Sequence, residues 1–258
     1  MTVIEDAARL LHEAQINRAP IRPLTGQFPG IDVADAYAIQ IINRDRSLVA
    51  GNRLVGHKIG LTSRPMQTLL GVDEPDFGYI LDSMVLQSGT TVEANQFCAP
   101  KAEPELAFLL NKPLHGADVT VADVYAATEA VAVALEIVDS RILDWKLTLP
   151  DTVADNASSG AVVLGKWVPW SDAVDLPSLR ASLILNLVEV DSGLGSAVMG
   201  DPAAAVAWLA RALSSFDAGI EAGQFVMSGS FTTAVPITGG DCATASMDGF
   251  GTVSVRMR

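Results

Sequence analysis

The sequence predicts an α+β protein: helices first, then a largely antiparallel β body with a few helices packed on it. Three observations carry this. Apolar residues recur at helical spacing through residues 4–17 and again from Asp32 to near Gly51. From Leu54 onward, Gly, Pro and Asp punctuate short apolar segments, the grammar of strands and turns. No internal repeat, low-complexity tract or long linker interrupts the chain. The expected division is therefore a helical part over 1–53 and one continuous β body over 54–258.

In chain order, Ile4, Ala7, Ala8, Leu11 and Ala14 form the apolar stripe of a first helix. Asp32 opens a second, through Ala36, Tyr37, Ile39 and Ile42. Leu54–Gly60 and Pro75–Ile80 read as short strands. Thr120-Val121-Ala122-Asp123 resembles a capping box and leads a helix through Val124, Tyr125 and Ala127. Val131–Val138 is an apolar strand carrying Glu136. Ser182–Val190 also reads as one strand. Asp201-Pro202 starts a helix through Val206, Trp208, Leu209 and Leu213. Phe225–Arg258 returns to short strands joined by glycines.

The chain has 258 residues, 49% of them hydrophobic, and a mean hydropathy of +0.32. That is enough to bury a large core and to leave apolar surface for contacts between subunits. No apolar run approaches the roughly 20 residues of a membrane span. The start, Met1-Thr2-Val3-Ile4-Glu5-Asp6, lacks the basic region of a secretory leader. Cys98 and Cys242 have no metal-ligand spacing, so a reduced, cytoplasmic setting is expected. A net charge of −13 argues against nucleic acid and against an anionic membrane surface. It also means that an anionic substrate would need a local cation.

Glu103 and Glu105 lie two apart in Lys101-Ala102-Glu103-Pro104-Glu105-Leu106-Ala107-Phe108. In a strand they share one face. A solvated strand face is the plainer reading, but Glu136, inside an otherwise apolar run, shifts the balance. A buried carboxylate needs a partner, either a cation shared with the other two or an arginine such as Arg141. Three carboxylates make a hard, oxygen-only site suited to Mg2+ or Mn2+ rather than zinc. With three histidines and no histidine-rich ligand set, zinc is disfavoured further. Lys58, bracketed by Gly56 and Gly60, is either a turn lysine or a partly buried cation, and His57 reads as structural or surface. Asp151–Gly160 reads either as a loop of Asx and Ser turns or as a pocket lining in which Asp155 and Ser159 are candidates. Gly229-Ser230-Phe231-Thr232 could hold a carboxylate through backbone N–H groups. Ser158 and Ser159 lack the Gly-x-Ser-x-Gly elbow, so a Ser-His-Asp hydrolase is not expected.

Five motifs occur in order: Gly56–Ser63, Gly71–Gly78, Glu103-Pro104-Glu105, Glu136–Ile142 with Asp144-Trp145, and Asp151–Ser159. Together they resemble the 2-keto-4-pentenoate hydratase and 4-oxalocrotonate decarboxylase family, within the fumarylacetoacetate hydrolase superfamily. The similarity runs from about residue 30 to the end. It implies a mixed β-sandwich roll with an N-terminal helical part, assembled as a homo-oligomer, with possible association with a partner enzyme of the same pathway. It implies Glu103, Glu105 and Glu136 as metal ligands and Lys58 as the active-site lysine. Asp76 and Asp155 would be the candidate proton carriers, and Ser159, Ser230 and Thr232 would lie near the substrate. The expected activity is hydration of a 2-hydroxy-2,4-dienoate. The alternative is decarboxylation of 4-oxalocrotonate, which needs a second anion clamp from Arg53, Arg64 or Arg141. A carbon–carbon bond hydrolase would want a His-Glu dyad that no motif here supplies, and a purely non-catalytic subunit is the remaining alternative.

Overall fold

Helix formation at the N-terminus follows from capping as much as from periodicity. In the computed structural model, which describes residues 2–258, α1 (Val3–Asn17) starts from a reciprocal Thr2/Glu5 capping box. A one-turn helix, α2 (Leu24–Gln27), follows. Asp32 and Asp35 form a second reciprocal box ahead of α3 (Val33–Val49). The buried stripes of α1 (Ala7, Ala8, Leu11) and α3 (Ala36, Tyr37, Ile39) join the main core.

The rest of the chain runs β1 (Leu54–Gly60), α4 (Arg64–Leu70), β2 (Asp76–Leu81), β3 (Val85–Gln87), β4 (Thr90–Val92) and β5 (Lys101–Leu110). Next come α5 (Val121–Ala127), β6 (Thr128–Val138), α6 (Leu149–Ala154), β7 (Ser159–Leu164), β8 (Val168–Pro169), β9 (Arg180–Leu185) and β10 (Val188–Leu194). The chain ends with α7 (Pro202–Ser214), β11 (Phe225–Ser230), β12 (Val235–Pro236), β13 (Cys242–Met247) and β14 (Gly251–Met257).

Two sheets result. The larger follows the path β2-β1-β11-β5-β6-β7-β3, with β12 added to β5 and β8 to β6; the smaller runs β10-β9-β13-β14-β4. One face of the large sheet, with Leu106, Phe108, Leu135 and Ile137, packs on the small sheet through Leu183, Ala243, Ala245 and Val255. Each such large side chain contributes about 1.5–3 kcal/mol on burial. The other face carries a second, smaller core of Ile80, Ala107, Ala134, Val162, Phe225 and Met227. β2 and β7, near opposite ends of the path, touch. The large sheet therefore curls, and this second face becomes the inside of a roll.

The body is largely antiparallel, as expected, but β1–β11, β3–β7 and β14–β4 are parallel pairs of strands far apart in sequence. Three other expectations need correction. Ser182–Val190 is not one strand but the hairpin β9–β10, turned by Asn186 and Leu187 at φ 52° and 72°. Asn186 suits the left-handed region but Leu187 does not, so the pair did not read as a turn. Asp151–Gly160 is not an open loop: it is the end of α6, a tight buried turn and the start of β7. Finally, the run between Leu54 and Ile80 holds a helix, α4, where only strands and loops were expected. Among the described residues, no helix is long and apolar enough to cross a membrane.

Candidate active site

Alternation along β5 and its register with β6 build the acidic cluster. Glu103 and Glu105 flank Pro104, and antiparallel pairing sets Glu136 directly opposite Glu103. Ligand oxygens of all three lie within 4.8 Å of one another. Glu105 and Glu136 are buried, and neither oxygen of Glu136 accepts a hydrogen bond. Burial, and then the neighbouring Glu136, pushes the Glu103 carboxyl up to about 7. The same two causes raise Glu105 well above the usual carboxylate range, and burial raises Glu136. Buried, converging, underbonded carboxylates are costly alone and fit a hard divalent cation. The Gly229 N–H does hold a carboxylate, but it is the protein's own: it donates to Glu105 Oε2 at 2.9 Å.

Lys58 reaches this cluster from β1, where it pairs with Met227 and Gly78. Its Nζ lies 3.5 Å from Glu136 Oε2 and donates to Ala157 O at 2.9 Å. Burial works against its charge, but Glu136, Asp76, Glu103 and Glu105 more than offset that and hold its pKa above the usual lysine value. Asp76 sits beside it across Gly60: a Cβ there would lie 2.2 Å from Asp76 Oδ1 and 3.4 Å from Lys58 Nζ. Asp76 Oδ2 accepts from Thr152 Oγ1 at 3.3 Å, while Oδ1 has no partner. Burial raises the Asp76 carboxyl, and Lys58 opposes the rise.

Asp155 is engaged elsewhere. Its Oδ1 accepts from Arg141 Nε at 2.5 Å, and its Oδ2 from the Arg141 N–H at 2.9 Å and Ser140 Oγ at 3.4 Å. Burial lifts its carboxyl to about 6 despite Arg141. The Arg141–Glu136 pair weighed from sequence is therefore not formed; Glu136 takes Lys58 instead. The Ser159 hydroxyl, buried without a partner, is among the groups acting on Glu136. Ser230 pairs with Glu105 along the strands, but its hydroxyl donates to Thr232 O, and Thr232 Oγ1 donates to Thr233 O. Sequence reasoning did not single out Thr152, Asn156 or Ala157. Ala157 acts through its carbonyl, so side-chain chemistry gave no signal for it.

The order of these residues and the curled sheet can be set against known proteins. A family model for the fumarylacetoacetate (FAA) hydrolase C-terminal domain matches residues 49–258. The chain belongs to the fumarylacetoacetate hydrolase family. Among family relatives, it is 44% identical over 255 residues to a 2-hydroxyhexa-2,4-dienoate hydratase of Comamonas testosteroni, covering 98% of this chain and 97% of the relative. It is 42% identical over 249 residues to a 2-keto-4-pentenoate hydratase of Paraburkholderia xenovorans, covering 96% and 93%. A solved 4-oxalocrotonate decarboxylase from Pseudomonas putida G7, complexed with magnesium and adipate, superposes with a TM-score of 0.96 at 35% identity, covering 100% and 99%. The family and the mixed α+β roll expected from the five motifs are thus both borne out.

Proposed function

We propose that this chain is a metal-dependent hydro-lyase. It would add water to a 2-hydroxy-2,4-dienoate of the 2-hydroxypenta-2,4-dienoate type, giving a 4-hydroxy-2-oxo acid in meta-cleavage catabolism. The observation that carries this reading is a buried lysine set between a three-carboxylate cluster and a carboxyl with a free oxygen. The hydratase relatives, similar over nearly their whole length, support it. Glu103, Glu105 and Glu136 would hold Mg2+ or Mn2+, as the magnesium in the decarboxylase neighbour suggests. A bound divalent ion would polarise a chelating 2-keto acid and offset the carboxylate charge.

Lys58 does the complementary work. Its ammonium, fixed by Ala157 O and Glu136, donates to the substrate oxygen on which negative charge develops. Asp76 moves the protons. Its free Oδ1 delivers one to C5 as the 2-hydroxydienoate releases its enol O–H proton to solvent and becomes the 2-keto-3-enoate. Oδ1 then takes one from the water that adds at C4, and C3 takes its proton from solvent. Burial raises its carboxyl, which favours the protonated form that proton delivery requires. Asp155 acts at one remove, by fixing Arg141. Ser159, with its free hydroxyl, is a substrate contact; Ser230 and Thr232 shape the adjoining turn.

The decarboxylase reading has one observation in its favour, the close superposition on a 4-oxalocrotonate decarboxylase. It needs a second anion clamp. Arg141 is committed to Asp155 and Arg53 to Asp82, which leaves Arg64 of the three candidates. The assay offers purified protein and Mg2+ either 2-hydroxypenta-2,4-dienoate or 2-oxo-3-hexenedioate, following ultraviolet absorbance and CO2. Consumption of the first without CO2 is expected, and CO2 from the second would move the chain to the decarboxylase branch. An exposed apolar edge at Val188, Val190 and Leu194 supports self-association into a homo-oligomer, which light scattering reads. Inactivity of the isolated chain would point to a partner enzyme.

A further inference from the structure

Three consecutive residues, Asn156, Ala157 and Ser158, hold positive φ of 56°, 49° and 53°. None is glycine, and runs of left-handed L-residues are sterically disfavoured. Specific contacts hold them there. The Asn156 side chain grips the backbone of β2 in both directions: Oδ1 accepts from the Tyr79 N–H at 2.8 Å and Nδ2 donates to Tyr79 O at 3.0 Å. Gly78 allows this approach, since a Cβ there would lie 2.5 Å from Asn156 O. Arg141 clamps the flanks by donating to Asp155 O and Ser159 O. The Asp139 N–H donates to Ser158 O at 2.7 Å.

What this turn presents is the Ala157 carbonyl, 2.9 Å from Lys58 Nζ. An ammonium has three N–H donors and rotates freely unless acceptors fix it. Ala157 O fixes one N–H and with it the rotation about the Cε–Nζ bond, while Glu136 Oε2 lies 3.5 Å away in ion-pair contact. The remaining N–H groups are then aimed without freedom of their own.

We propose that Asn156 is a positioning residue: by stapling the left-handed turn to β2 it holds Ala157 O against Lys58 and sets where the remaining N–H groups point. The inference rests on the role given to Lys58 above. Asn156→Gly tests it, because glycine accepts the positive φ and only the staple is lost. The variant is expected to lose roughly ten- to a hundredfold in kcat, with KM and the Mg2+ dissociation constant unchanged. In a Lys58→Met background, with residual turnover followed over hours, the same change is expected to add nothing. The Lys58 15Nζ resonance, visible only while the ammonium is buried and held, is expected to vanish in Asn156→Gly. Full kcat in Asn156→Gly, or an equal loss with and without Lys58, would overturn the proposal. Full activity of Lys58→Met alone would instead overturn the role of Lys58. Should Asn156→Gly fail to fold, Asn156→Asp keeps the acceptor and loses the donor, and the same double comparison applies.

Discussion

Lys58 is the one cation in ion-pair contact with the carboxylate cluster among the described residues. Lys58→Met keeps the apolar stem and removes the charge. It is expected to lower kcat by roughly 100- to 1000-fold, read by steady-state kinetics on protein whose circular dichroism is unchanged. Gly60 matters for the opposite reason, the absence of a side chain. Gly60→Ala would drive a methyl to 2.2 Å from Asp76 Oδ1 and displace that short, buried carboxyl. A loss of kcat of at least about tenfold is expected, and wild-type turnover would remove Asp76 from the proton path. At this scale the sequence was legible where chemistry and periodicity coincide. Glu103 and Glu105 shared a face by alternation, and Glu136 stood out as a charge in an apolar run. Asp76 and Asp155 could not be told apart, because what separates them is a partner, Arg141, that sits next to Asp155 only in the fold.

At the scale of elements, capping signals were reliable and unmarked turns were not. Thr120, Asp32 and Asp201 each cap the helix they announced, since the capping bonds are local and need no tertiary context. The β9–β10 turn gave only half a sign, Asn186 without a following glycine. Leu187 is 97% exposed and holds φ 72°, so its side chain gains nothing to offset the strain. Leu187→Gly, giving the Asn-Gly pair favoured in such turns, is expected to stabilise the protein by about 0.5–1 kcal/mol after the entropic cost of glycine. Urea denaturation reads this as a higher midpoint with an unchanged slope, and a lower midpoint would mean that Leu187 packs on something in solution.

For the molecule as a whole, the cluster couples stability to metal and pH. The Glu103 carboxyl, ordinarily near 4.5, is held up to about 7 in the folded chain without metal. A raised carboxylate pKa favours the folded state at low pH, and that contribution is lost as pH rises from 4.5 through 7. Metal binding needs the ionised form, so it releases protons, and affinity rises with pH as the three carboxyls ionise. At pH 8 and a Mg2+ concentration of about 100 Kd, Tm is expected to rise by roughly 5–10 °C. The same Mg2+ concentration at pH 6 is expected to give a smaller shift. Equal calorimetric shifts at both values would show the glutamates already ionised without metal.

The sequence by itself determined the class of fold, the family, the starts of α3, α5 and α7 and the set of carboxylates, because alternation, capping and residue chemistry are local properties of the chain. Tertiary structure alone decided the parallel pairings, the burial that shifts the carboxyls, and which charge answers which. Glu136 meets Lys58, and Asp155 meets Arg141, because the register of β6 and the turn at 156–158 bring together residues distant in sequence. No periodicity encodes that meeting, and the attraction between opposite charges depends on it.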